Sequence, residues 1–237
     1  MPITRTRPPL VLASLLALAF AVAGALQAQV APPTAPSAFT DDPDAVVIAF
    51  ADTELTLAQF DEVFAQAARS TAIGQGMPVT DEVLAEFEPF KAAFLEQYGT
   101  QLVLAHVAET RGLAPSDAEV DTVIETLRRE QPDAAAFDAW LDAAGYADTD
   151  DLRGTVSLTL SAQALVDDLA TGVEVAAADV RAWYDANPDA VRTEDGEMVP
   201  FEAVEPQIEQ LLVQEAVDVE VQLLVAQAGL ELYPEGR

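Results

Sequence analysis

The sequence predicts a mainly α-helical protein with a small two-stranded sheet joining its N- and C-terminal ends. Three observations carry that prediction. Apolar residues recur at helical spacing along most of the chain, as at Val120, Val123, Ile124 and Leu127, which fall on one helix face. Gly112, Gly145, Gly172 and Gly229 each follow such a stretch, where a residue without a Cβ suits a left-handed C-terminal cap. Strand character is confined to two short runs, residues 45–50 with their β-branched apolar side chains and residues 230–233 with their alternation.

Arg5 and Arg7 precede an uncharged apolar stretch over residues 10–22, and Ala23-Gly24-Ala25 offers a small-x-small cleavage step. Residues 1–28 are therefore expected to be a signal peptide, cut after Ala25 or Ala28, that exports the protein to the periplasm or another extracytoplasmic space. The alternative is an uncleaved anchor, since the apolar run to Ala28 nearly reaches membrane-spanning length. Once the signal is removed, no stable membrane insertion is expected. Residues 29–44, with several Pro, Ala, Ser and Thr and no apolar period, are expected to form a flexible linker.

Order is expected from Ala45. The strand at Val46–Phe50 leads through a turn at Asp52-Thr53 to Thr56, which can cap a helix while Gln59 caps back. Pro89 cannot sit inside a helix without removing a hydrogen bond, so residues 81–111 divide into a short helix and a longer one starting near Pro89. Ser116 and Glu119 form a second capping box, and Phe137, Trp140 and Leu141 mark an amphipathic helix that stops at Gly145. Asp148, Asp150 and Asp151 supply a cap and first-turn negative charge to the next helix, which the helix dipole favours. Residues 155–166 carry no charge and read as a helix buried on most sides. The last helix spans Phe201–Ala228, with Ile208, Leu212, Val219, Leu223 and Ala226 stacked on one side. Residues 230–233 are expected to pair with Val46–Phe50 and close the chain ends into one sheet.

The charge balance excludes whole classes of partner. Against 41 Asp and Glu stand 11 Lys and Arg, for a net charge of −30, and Lys91 is the only lysine. Nucleic acid is excluded, because phosphate binding needs clustered cations, and anionic membrane surfaces are disfavoured for the same reason. The acidity serves as a solvated surface that maintains solubility, or as long-range attraction for basic polypeptide segments. No cysteine is present, so disulfides, thiol catalysis and Cys-bound zinc are excluded.

Five signatures in order resemble the SurA/PrsA-type extracytoplasmic chaperones. They are the strand–turn–capped helix at residues 46–60, with Ala51-Asp52-Thr53 replacing the family's usual Asn-Gly turn, and the Gly112-Leu113 step before the Ser116 capping box. Then come Phe137 through Gly145, the helix end from Val180 through Trp183-Tyr184 to Asn187-Pro188, and the Val199-Pro200-Phe201-Glu202 opening of the last helix. The resemblance spans residues 45–233. It implies a single helical SurA N-terminal-like domain over residues 45–237: an N-terminal part (45–188), a short joint (189–198) and a C-terminal helix and strand (199–233). In that family a parvulin prolyl-isomerase domain usually occupies the joint, and residues 189–198 are far too few for one.

The resemblance also implies ATP-independent binding of unfolded or extended polypeptides, outer-membrane proteins among them. Two alternatives stand: an envelope structural or assembly protein holding one specific partner, and an isomerase-family member with vestigial activity. No catalytic, cofactor or metal residues are assigned. His106 is the only histidine and no serine lies in a nucleophile-elbow pattern. The acidic clusters at residues 148–151 and 194–197 lack the ligand spacing of a calcium loop. Client-binding candidates are Phe87, Phe90, Phe94 and Tyr98, an aromatic stripe at near-helical spacing across the Pro89 break, together with Trp183 and Tyr184.

Overall fold

A computed structural model describes residues 39–193 and 196–237; the expected signal peptide and most of the expected linker lie outside them. The fold is mainly helical, built on a small antiparallel sheet. Strand β1 (Val46–Phe50) turns through two residues into β2 (Thr53–Thr56). Such tight turns require a positive φ, and Ala51 supplies it at 45° where a glycine or asparagine would do so with less strain.

On the other edge of β1 lies β3 (Glu231–Leu232), with Ile48 opposite Leu232 and Ala49 opposite Glu231. The backbone pairing continues past the strand, as the Tyr233 amide donates to Val47 O at 2.9 Å and the Arg237 amide to Val46 O at 3.1 Å. The expected closure of the chain ends is therefore present. The sheet has three strands in the order β2-β1-β3, however, and not two. Residues 53–56 carry one apolar side chain, Leu55, on a solvated edge, so they lack the pattern by which a buried strand is recognised.

The chain is anchored earlier than Ala45. Phe39 stacks on Phe60 with ring centroids 5.9 Å apart, and the Thr40 amide donates to Pro234 O at 3.0 Å.

Helix α1 (Leu57–Gly74) begins at the Thr56–Gln59 capping box, with both reciprocal bonds formed. A short α2 (Asp81–Ala85) and a 3-10 turn at Glu88–Phe90, which accommodates Pro89, precede α3 (Lys91–Thr110). The Ser116–Glu119 box opens α4 (Asp117–Glu130), and Asp133 caps α5 (Ala134–Ala144), which ends at Gly145 with φ 87°. Asp148 accepts from the amides of Asp150 and Asp151 at the start of α6 (Thr149–Gly172). Gly172 is not a left-handed cap: α6 runs through it and ends in extended backbone at Val173. The remaining helices are α7 (Ala177–Ala186) and α8 (Phe201–Ala228), the latter closed by Gly229 at φ 65°.

Four apolar clusters hold these elements together. The sheet, α1 and α3 enclose Ile48, Phe60, Phe64, Phe94 and Val103, and the end of α8 reaches this cluster through Val225 and Ala228. Helices α4, α5 and α6 share a second, around Ile124, Phe137 and Leu152. Leu104, Ala108 and Leu165 join α3 to α6, with Val221 and Leu224 of α8 against them. The fourth, Val180, Tyr184, Val191 and Ile208, joins α7 to the first half of α8. Between the first two clusters Gln66 is buried with its polar end satisfied: Nε2 donates to Gly145 O and to Asp151 Oδ2, each at 3.2 Å.

Candidate functional site

The six aromatic candidates do not converge on one surface. Phe94 is core, 5% exposed, with Phe60 and Phe64 at 5.9 and 5.4 Å. Tyr98 stacks on Phe94 at 5.8 Å, and burial pushes its phenol above the usual value. Phe87 is half-buried against the same cluster. Phe90, beside Pro89 and 49% exposed, is the member of that stripe that faces solvent. On α7, Tyr184 is buried and donates its hydroxyl to Val199 O at 2.6 Å, while Trp183 is half-buried alongside. Thus Phe94 and Tyr184 are packing residues, because each helix turns its aromatic face toward a neighbouring element.

The open apolar surface lies instead on α8. This helix is apolar nearly all round, with Ile208, Leu211, Leu212, Val213, Val217, Val219, Val221, Leu223, Leu224 and Val225 distributed over its faces. A helix of that kind is ordinarily buried on all sides. Here Ile208 and Val217 alone are buried on α8, and Leu211, Val219 and Leu223 are 39%, 55% and 48% exposed.

Helical geometry explains the exposure. At about 100° per residue, Ile208, Leu212, Val219, Leu223 and Ala226 fall within about 60° of one another, so the expected stripe does form one face. α7 covers its first half, placing Val180 and Tyr184 against Ile208 with Leu212 at the edge. The opposite face of the second half, with Val221, Leu224, Val225 and Ala228, packs on α3, α6 and the sheet. Val219, Leu223 and Ala226 of that same face are left open to solvent.

A second opening lies where α8 passes α6. Val166 and Ala170 of α6 and Val213 and Val217 of α8 line an open groove of about 540 Å³, with Glu209, Gln210 and Gln214 at its polar side. Residues 166 and 170, like 213 and 217, are one helical turn apart, so each helix offers a pair of small apolar side chains to the groove. Nothing in the sequence marks this groove, since it depends on where α8 crosses α6. The residues that line it look like ordinary core positions.

His106 lies edge-on to Phe50 at 5.8 Å, as a packing ring. Among the described residues no group of three or more His, Cys, Asp or Glu is placed to hold a metal ion, and no helix is long and apolar enough to cross a membrane. The segment between α7 and α8 doubles back on itself: Arg192 pairs with Met198, and the Val199 amide donates to Val191 O at 2.8 Å.

A family model described as the SurA-like N-terminal domain matches residues 5–166, from the basic start of the chain to the groove-lining Val166 of α6. No curated protein and no solved structure matches the chain. The matched stretch takes in β1, β2, α1 to α5 and most of α6, while α7, α8 and β3 follow it. The chain belongs to the family of SurA-like N-terminal domains.

Proposed function

We propose that the protein is an exported, ATP-independent holding protein that binds unfolded or extended polypeptides bound for the cell envelope, without catalysis. The observation that carries this reading is α8, a 28-residue helix with apolar side chains on every face and two buried residues. Burying one such side chain contributes about 1.5–3 kcal/mol, and association costs several kcal/mol or more. Contact with Leu211, Val219, Leu223 and the α6–α8 groove therefore gives weak, reversible binding. Release without ATP requires that.

Membership in the SurA-like family supports a chaperone role. Function without prolyl isomerisation is part of the proposal, and the short segment between α7 and α8 supports it, since Arg192 pairs with Met198 within it.

Suppression of thermal aggregation of a denatured client tests the proposal. Suppression at stoichiometric amounts is expected, in low or in high salt. Failure in both salts overturns it, and recovery of one stoichiometric folded partner from envelope extract points instead to an assembly protein.

A further inference from the structure

We infer that the open half of α8 is a docking face for an apolar polypeptide segment flanked by lysine or arginine, with Val219 and Leu223 as its apolar floor and Glu215 and Glu220 as its rim. The inference rests on the holding function proposed above and specifies the chemistry of what is held.

The face is continuous with a packing surface that the fold already uses. Ile208 and Leu212 take α7 on the first half of the stripe, and Val219 and Leu223 continue the same stripe beyond the start of α7 at Ala177. A segment lying along the second half would extend that contact. Both floor residues are roughly half exposed, so they are available without rearrangement.

Charge selects the occupant. All of the ionisable residues on α8 are acidic: Glu202, Glu205, Glu209, Glu215, Asp218 and Glu220. Around the helix, Glu215 and Glu220 fall on opposite sides of the Val219–Leu223 stripe. Neither carboxylate is in an ion pair among the described residues, and both are exposed. A second copy of the chain would bring its own net charge of −30 to the contact and be repelled. An acidic segment is rejected by the same rim, and a neutral one gains nothing from it. A segment with an apolar centre and cationic ends satisfies floor and rim together.

The experiment is fluorescence anisotropy with the full chain and two labelled peptides that share a Val/Leu/Phe centre, one with lysines at both ends and one with glutamates. The lysine peptide is expected to bind about tenfold tighter at low salt, the sum of a few exposed charge pairs. High salt should shrink the gap. The Val219→Gln/Leu223→Gln variant should weaken the lysine peptide at least about fivefold, the loss of two partly buried side chains. Glu215→Gln/Glu220→Gln should narrow the preference for lysine. Both variants alter exposed positions, and far-UV circular dichroism confirms that they fold.

Equal binding of the two peptides, or lysine-peptide binding unchanged in the Val219→Gln/Leu223→Gln variant, overturns the inference. The second result would assign the attraction to the acidic surface at large. If aggregation suppression persists alongside either result, the holding function stands and this docking face alone is refuted. Absence of both suppression and peptide binding refutes the two together.

Discussion

Lys91, the only lysine of the chain, holds Asp61 Oδ1 at 2.7 Å while its ammonium lies 4.8 Å from the centroid of the Phe39 ring. One side chain thus clamps the incoming segment at Phe39 and the first turns of α1 to the start of α3. Its stem is well covered, with 15% of the side chain exposed, and its charge has both a carboxylate and an aromatic face as partners. Lys91→Ala is expected to cost about 1–2 kcal/mol, because packing, ion pair and cation–π contact go together. Lys91→Met should cost less, since the stem's apolar contacts survive. Urea denaturation followed by circular dichroism separates the two.

Phe60 is the hub of the aromatic core, fully buried, with Phe39 and Phe94 both at 5.9 Å and Phe64 at 6.3 Å. Phe60→Ala should destabilise the fold by about 3–5 kcal/mol, the usual range for a large buried ring. Phe90→Ala should change stability by less than about 0.5 kcal/mol, because that ring is half in solvent already. Comparable losses at the two positions would contradict the packing described for the Pro89 break.

The closing strand leaves a close approach that can be tested by overfilling it. A Cβ placed on Gly99 of α3 would lie 3.1 Å from one Leu232 methyl and 3.3 Å from one of Leu230. Gly99→Val should therefore cost about 1–3 kcal/mol despite removing a glycine from a helix interior. Leu232→Ala in the same chain should recover part of that loss, which a double-mutant cycle reads as a favourable coupling. Simple additivity would place β3 away from α3.

Ala51 carries the positive φ of the β1–β2 turn at 45°. A left-handed conformation costs a residue with a Cβ about 1–2 kcal/mol, and a glycine gives back part of that through its looser unfolded state. Ala51→Gly is expected to raise stability by up to about 1 kcal/mol, and Ala51→Asn to be neutral or better. A thermal midpoint that falls in both variants would argue against the two-residue turn.

Glu119 predicts a pH dependence. The Ser116 hydroxyl, and then its backbone amide, hold the Glu119 carboxyl below its ordinary value of 4.5. A depressed carboxylate stabilises the fold in full above the unfolded value, and that contribution fades as pH falls through the folded one. Glu119→Gln should then flatten the loss of stability below pH 4.5 while retaining the cap at neutral pH. Parallel curves for the two proteins across that range would show that the capping carboxylate is not responsible. Ser116→Ala should cost about 1 kcal/mol at neutral pH, the ordinary cost of losing an N-cap hydroxyl.

Much of the fold was legible because its signals are local. The boxes at Thr56–Gln59 and Ser116–Glu119 and the caps at Asp148, Gly145 and Gly229 each involve a side chain and a backbone a few residues away. The pairing of the chain ends was legible for a different reason: two runs with strand character need each other. The second strand was not, because its lone apolar residue shows no alternation, and Gly172 was misread because it is the last helical residue and the chain leaves it directly into extended backbone at Val173.

The candidate surface divides in the same way. By itself the sequence determined that α8 has an apolar stripe and that α3 carries aromatic residues at helical spacing. An apolar face requires a cover but does not name it or say how far the cover reaches. Only the tertiary structure decided that the Phe94 and Tyr98 stripe turns into the core. It also decided that α7, 10 residues long, ends before α8, 28 residues long, has been covered. Burial is settled by which elements meet and by their lengths, and that is why the open half of α8 emerged only once the helices were packed.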